Sequence, residues 1–214
     1  MRNHDQLIEQ LSASAQPVGR VWPTAWRVIG WVAAALPCGA LSSWALHSRY
    51  TDWSQPGALP AMAALLLSFI LGVSAIAGAF TLSLAGREPP RLRYPFLLAL
   101  AWLALNLGNM SVAQAPAGAG RFGEGIHCYL FMLSAGLPMM AISVFSLYRT
   151  RSISPEKSLA LAGCGIAFMS SLLLSLCHDI HLHLLDFSMH LAAGITLVLL
   201  TVLTGRRWVR LDRR

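Results

Sequence analysis

Cys128 and Cys177, each with a histidine beside it in the chain (His127 and His178), are the residues best suited to chemistry. Two thiols in an oxidising compartment can close a disulfide, provided their α-carbons come within about 7 Å. As thiolates with imidazole neighbours they suit Cu(I) and Zn(II), and thiolate also suits softer toxic ions such as cadmium. His181 and His183 follow in the same short segment, and His190 lies about one turn into the next apolar run. An ionisable group inside such a run is costly and usually has a role. Met110, Met132 and Met189 stand at similar depth and offer thioether sulfur. The spacing is neither CxxC nor HExxH. Inert, buried cysteines and a hydrated histidine loop therefore stay open as the plainer reading of the same residues. Asp179 and Asp186 could orient histidines as acceptors, although a carboxylate at a helix end needs no such role.

Those residues must be positioned by a membrane fold. The chain has 214 residues, of which 56% are hydrophobic and only 12% charged, too greasy for an ordinary soluble domain. A hydrocarbon core about 30 Å thick takes roughly 20 apolar residues per helical crossing. Six runs qualify, at residues 25–46, 60–84, 95–115, 127–148, 158–177 and 185–204. They are long and continuous in Leu, Ala, Val, Met and Gly, without the period-two alternation of an outer-membrane barrel. The expected fold is an all-α integral membrane protein of six transmembrane helices. Cys164 falls in a Gly-Cys-Gly context near the inner end of the fifth run, where small residues let helices approach. It is excluded from the chemistry above, and Gly-rich faces of this kind could also carry a homodimer.

Charge orients the six runs. With the amino terminus inside, fourteen of the sixteen Lys and Arg residues fall in or beside inside segments, and only Arg49 and Arg121 fall outside. This is the positive-inside pattern, with both termini cytoplasmic. It also accounts for the net charge of +7 without a nucleic-acid partner, since the basic residues flank apolar runs and form no aromatic-interleaved patch. The same topology puts His47, His127, His178, His181, His183 and His190, six of the seven histidines, on the outer side with Cys128 and Cys177. The first run reads as a retained span, because the region leading into it is long for a signal peptide. Cys38, preceded by Pro37, is a poor lipidation site.

Residues 1–24 form a segment on the inside, 25–204 the helix bundle and 205–214 a basic cytoplasmic tail. Leu7, Ile8 and Leu11 give the first segment a short apolar stripe, and Pro17, Val18, Val21 and Pro23 make a turn-prone link to Trp26. The stripe is either an interfacial anchor, with Trp22, Trp26 and Arg27 at the headgroups, or a docking peptide for a groove on a cytoplasmic protein. The links between runs are brief, with no room for a catalytic domain. No Gly-rich phosphate motif, Ser/His/Asp set or paired catalytic carboxylates occurs, so an enzyme is not expected.

The ordered set of Leu7-Ile8-Glu9-Gln10-Leu11 then Pro17-Val18, Cys128 at the start of the fourth span, Gly136-Leu137-Pro138 within it, Cys177-His178, and Met189-His190 ahead of Gly194 resembles the NrsF-like anti-sigma factors. These six-helix proteins are negative regulators of an extracytoplasmic-function sigma factor of the F type in proteobacteria. The resemblance covers nearly the whole chain. It implies a multi-pass protein of the bacterial inner membrane whose amino-terminal segment, including Leu7, Ile8, Leu11, Pro17 and Val18, holds a sigma factor away from RNA polymerase. It implies further that Cys128 and Cys177 sense metal or oxidative stress, with Cu(I) or another soft ion as signal and no obligatory cofactor. Met189 stands where family members commonly have tryptophan, which leaves the identity of the ligand open. A small metal- or haem-binding membrane protein with His127, His178 or His190 as axial ligands is an alternative, as is a transporter. The few charges at mid-membrane depth speak against the latter.

Overall fold

Apolar runs in lipid must satisfy every backbone group internally, and this chain does so by winding into helices. The computed structural model describes residues 2–14, 21–46, 51–84, 86, 93–112, 122–150, 152, 154–177, 180 and 183–209. Among them are seven helices and no strand: α1 (Arg2–Ser14), α2 (Thr24–Leu46), α3 (Ala58–Leu82), α4 (Arg93–Val112), α5 (Phe122–Tyr148), α6 (Pro155–Ser175) and α7 (Leu184–Val209). The all-helical expectation holds. Among the described residues, α2, α3, α5, α6 and α7 are long and apolar enough to cross a bilayer. α4, at the position of the expected third span, opens with Arg93 and Tyr94 and carries Asn106 and Asn109, and it is not one of the five.

The ends of the helices differ from the apolar runs for a local reason. α7 continues through Arg206 and Arg207 to Val209, past the expected 204. Two arginines in a last turn complement the negative pole of the helix, so winding continues after hydropathy falls. Gly57 precedes α3 with φ of 95°, a left-handed conformation that a side chain would strain.

α6 is the central element, packed against α3, α5 and α7 and touching α2, with Leu159, Ile166 and Met169 fully buried. Helix association in lipid depends on close packing and interhelical hydrogen bonds. The Gly-Cys-Gly of α6 supplies the packing: a Cβ on Gly163 would meet Val198 Cα of α7 at 2.7 Å, and one on Gly165 would meet Gly72 O of α3 at 3.0 Å. α2 meets α5 where both carry a proline, Pro37 and Pro138, with Gly39 against Met139 and Ala135. Buried polar pairs add specificity. Trp31 Nε1 donates to Ser143 Oγ across α2 and α5 at 2.7 Å, and Tyr129 shares a 3.0 Å hydrogen bond with Thr196 across α5 and α7. α4 sits at the edge, packed mainly along α3, where Trp102 Nε1 donates to Ser68 Oγ at 2.7 Å.

Arg27, in the first turn of α2, organises one end of the bundle. Its guanidinium donates to Phe80 O at 3.2 Å, to Ser83 Oγ at 3.4 Å and to Thr150 Oγ1 at 3.5 Å, and lies 4.5 Å from the centroid of the Phe80 ring. One side chain thus joins α2, the end of α3 and the segment between α5 and α6. Ser152 continues the seam, bonded to Leu82 O at 3.3 Å and to Ser158 Oγ at 3.0 Å.

Candidate functional site

The two cysteines of interest share the other end of the bundle. α5 and α6 are neighbours joined by a short link, so they run antiparallel. Cys128 precedes that link by about as many residues as Cys177 follows it, a climb of about 30 Å in each case at 1.5 Å per residue. Cys128 is buried within the bundle's apolar cluster, and Cys177, half-buried in the turn just past α6, packs against the same cluster. All four cysteines are thiols. Burial pushes the Cys177 thiol above the ordinary thiol pKa, so it is held protonated at neutral pH.

The histidines spread over the same end. His127 is exposed beside Cys128. His183 is half-buried and its carbonyl accepts from Phe187 N at 3.0 Å, opening the first turn of α7. His190 lies further along α7, with Nε2 sealed from solvent. Asp186 is buried in the first turn of α7, four residues before His190 and therefore on the same face of the helix. His47, His178, His181, Asp179, Pro17 and Val18 lie outside the described residues. Among the described residues, no group of three or more His, Cys, Asp and Glu gathers to hold a metal ion. On α1, Leu7, Ile8 and Leu11 are exposed by 52%, 64% and 62%.

The turn that carries Cys177 is strapped from across the bundle. Thr51 N donates to Leu176 O at 3.1 Å and Thr51 Oγ1 to Ser175 O at 2.9 Å. These carbonyls belong to the end of α6, where no later turn supplies donors, so Thr51 meets a need that every helix end creates. Next to it, Asp52 accepts from Ser54 N at 3.0 Å and Ser54 Oγ at 2.6 Å, and those bonds hold its carboxyl below the usual range. The segment between α2 and α3 is thereby tied to the Cys177 turn.

No family model matches this chain, and neither a curated protein nor a solved structure is similar to it.

A chamber of about 50 Å³, mostly apolar with several polar groups in its wall, lies beneath the strap, with room for about three or four waters. Thr51, Ser68, Asn106, Asn109, Ser171, Ser175 and His190 are its polar lining. Asn106 is buried and donates from Nδ2 to Trp102 O at 2.8 Å. Of these residues, only His190 is singled out by sequence reasoning. The signal for Asn106 and Asn109 was a pair of amides at i and i+3 within an apolar helix, with Trp102 one turn before the first. Chemically, the thiol end combines two oxidisable sulfurs on antiparallel neighbours, the His127 and His190 imidazoles on α5 and α7, and a small chamber with polar groups in its wall. A disulfide or a bridging soft metal between Cys128 and Cys177 would draw the start of α5 toward the end of α6.

Proposed function

We propose that this protein is a membrane-bound anti-sigma factor of the bacterial inner membrane. In this reading the segment before α2 holds an extracytoplasmic-function sigma factor, and the thiol end releases it on meeting a soft metal such as Cu(I) or an oxidant. The observation that carries the proposal is a separation. The exposed stripe of Leu7, Ile8 and Leu11 belongs to the segment that enters the bundle at the Arg27 end, whereas the two thiols lie at the opposite end. α4, whose 20 residues rise about 30 Å, is the sixth span, which returns both termini to the cytoplasm. The bias of basic residues supports that orientation.

Two chemical inputs fit the thiols. Cu(I) binding replaces the protons of Cys128 and Cys177 with metal–sulfur bonds. Oxidation removes two electrons and two protons from the pair, which an oxidant accepts as the sulfur–sulfur bond forms. Either draws on the Cys177 turn, which Thr51 ties to the segment leading from α2. α2 in turn carries Arg27 and the amino-terminal segment. Moving a two-state bundle from 1:99 to 99:1 takes about 5.5 kcal/mol of differential affinity, within the range of thiolate coordination.

The test is co-purification. Full-length protein solubilised in mild detergent should retain a sigma factor, and both removal of residues 1–24 and the double substitution Leu7→Asp, Leu11→Asp should lose it. Full-length protein that retains no sigma factor would contradict the proposal.

A further inference from the structure

The chamber is one half of a larger feature. Trp102, Ser171 and His190 line it and also line a second hollow of about 300 Å³, at the lower end of the range for ligand pockets. This hollow follows α6 from Ser171 to Cys164 and α7 from His190 to Leu199, away from the thiol end. α6 and α7 form the groove, and Trp102 of α4 and Met132 of α5 complete its lining. Ile195, Val198 and Leu199 make its wall apolar.

Three properties of the junction define an occupant. Trp102 meets the Phe168 ring edge-on, with centroids 5.4 Å apart and planes at 89°, and lies 6.1 Å from the Phe187 ring. A flat ring therefore finds aromatic faces and edges there. Ser171 and His190 bring a hydroxyl and an imidazole to the same place, the polar groups of an otherwise apolar lining. Neither lining includes a Lys, Arg, Asp or Glu among the described residues, so a phosphate or carboxylate headgroup would enter without a fixed counter-charge. The apolar groove continues from the junction along the helices and would take a hydrocarbon chain.

We propose that this junction binds an isoprenoid quinone, its ring beside Trp102, its carbonyl oxygens toward Ser171 and His190, and its tail in the groove along α6 and α7. The site stands on the two linings and does not depend on the anti-sigma reading.

The full-length protein in nanodiscs, titrated with decylubiquinone while tryptophan fluorescence is followed, provides the test. Wild type should bind saturably at one site, and an equal concentration of decanol should not displace the quinone. Gly194→Leu should fill the groove at little cost to the fold, because a Cβ there meets only Ala167 Cβ at 3.5 Å. It should weaken binding by at least tenfold, and Ala167→Leu, as a second filling variant, should do the same. His190→Ala should weaken binding several-fold, the scale of one hydrogen bond. Variants are compared only where they elute as wild type does. Absence of saturable binding, unchanged affinity in a folded filling variant, or equal displacement by decanol would each overturn the proposal, the last by showing a groove that takes any chain.

Discussion

At the Arg27 end a single guanidinium joins α2, α3 and the segment between α5 and α6, and Ser152 closes the seam beside it. At the thiol end Thr51 bonds the last carbonyls of α6, and the Tyr129–Thr196 bond joins α5 to α7. Around these bonds lie the chamber and the mouth of an apolar groove. One end is tied through a charged, multidentate group, and the other through neutral hydrogen bonds beside two hollows. Interiors packed to native density resist deformation, and cavities are where movement costs least. In the proposed function, this difference would suit the thiol end to receiving a signal and the Arg27 end to passing it on as a rigid unit.

That contrast can be broken most sharply at Arg27. Replacing it with alanine removes bonds from a charged donor to two other segments, and stability should fall by about 1–3 kcal/mol. Thermal unfolding in detergent reads this as a clear drop in midpoint. A midpoint within error of wild type would remove the distinction between the ends. Thr51→Val keeps the shape and the backbone bond but loses the bond to Ser175 O. It should cost about 1 kcal/mol and should make Cys177 more reactive toward a maleimide, since the turn is released. The smallest effect belongs to the chamber: Asn106→Leu should stay within about 0.6 kcal/mol of wild type, the average weight of a polar contact between membrane helices. A larger loss would mean that the chamber is structural.

The pH dependence of the thiol end has a definite sign. Burial raises the pKa of Cys177, so its thiolate fraction is smaller at neutral pH than that of an exposed thiol. Alkylation of Cys177 should therefore continue to accelerate at alkaline pH after an exposed thiol has levelled off. A rate that levels at the ordinary thiol pKa would show the turn to be open in solution.

The helices were legible in the sequence because hydropathy is a property of each run taken alone. The run expected at 25–46 is α2, Thr24–Leu46, and the run expected at 158–177 is α6, Pro155–Ser175. The Leu7, Ile8 and Leu11 stripe was legible for the same reason, being a local period on one helix. The ends were less so, since Arg206 and Arg207 extend α7 through a terminal effect that an apolar window does not register. Of the candidate site, Cys128 and His190 could be chosen by residue type. Thr51, Trp102 and Asn106 could not be given their roles that way. Thr51 matters only because the end of α6 comes to it, and Trp102 because α6 and α7 both present rings to it. Arg27 read as an interfacial residue until the end of α3 and Thr150 appeared around it. Such roles come from how helices meet, which no single run encodes.

The most direct test of the division between the two ends is release. Full-length protein in proteoliposomes, loaded with the proposed sigma factor, would be exposed first to Cu(I) under reducing conditions and then, in a separate sample, to an oxidant, alongside the Cys128→Ser, Cys177→Ser double variant. Wild type should release the sigma factor under at least one of the two treatments, and the double variant should bind it equally well and release it under neither. Release from the double variant equal to that from wild type would show that the signal does not enter through these thiols.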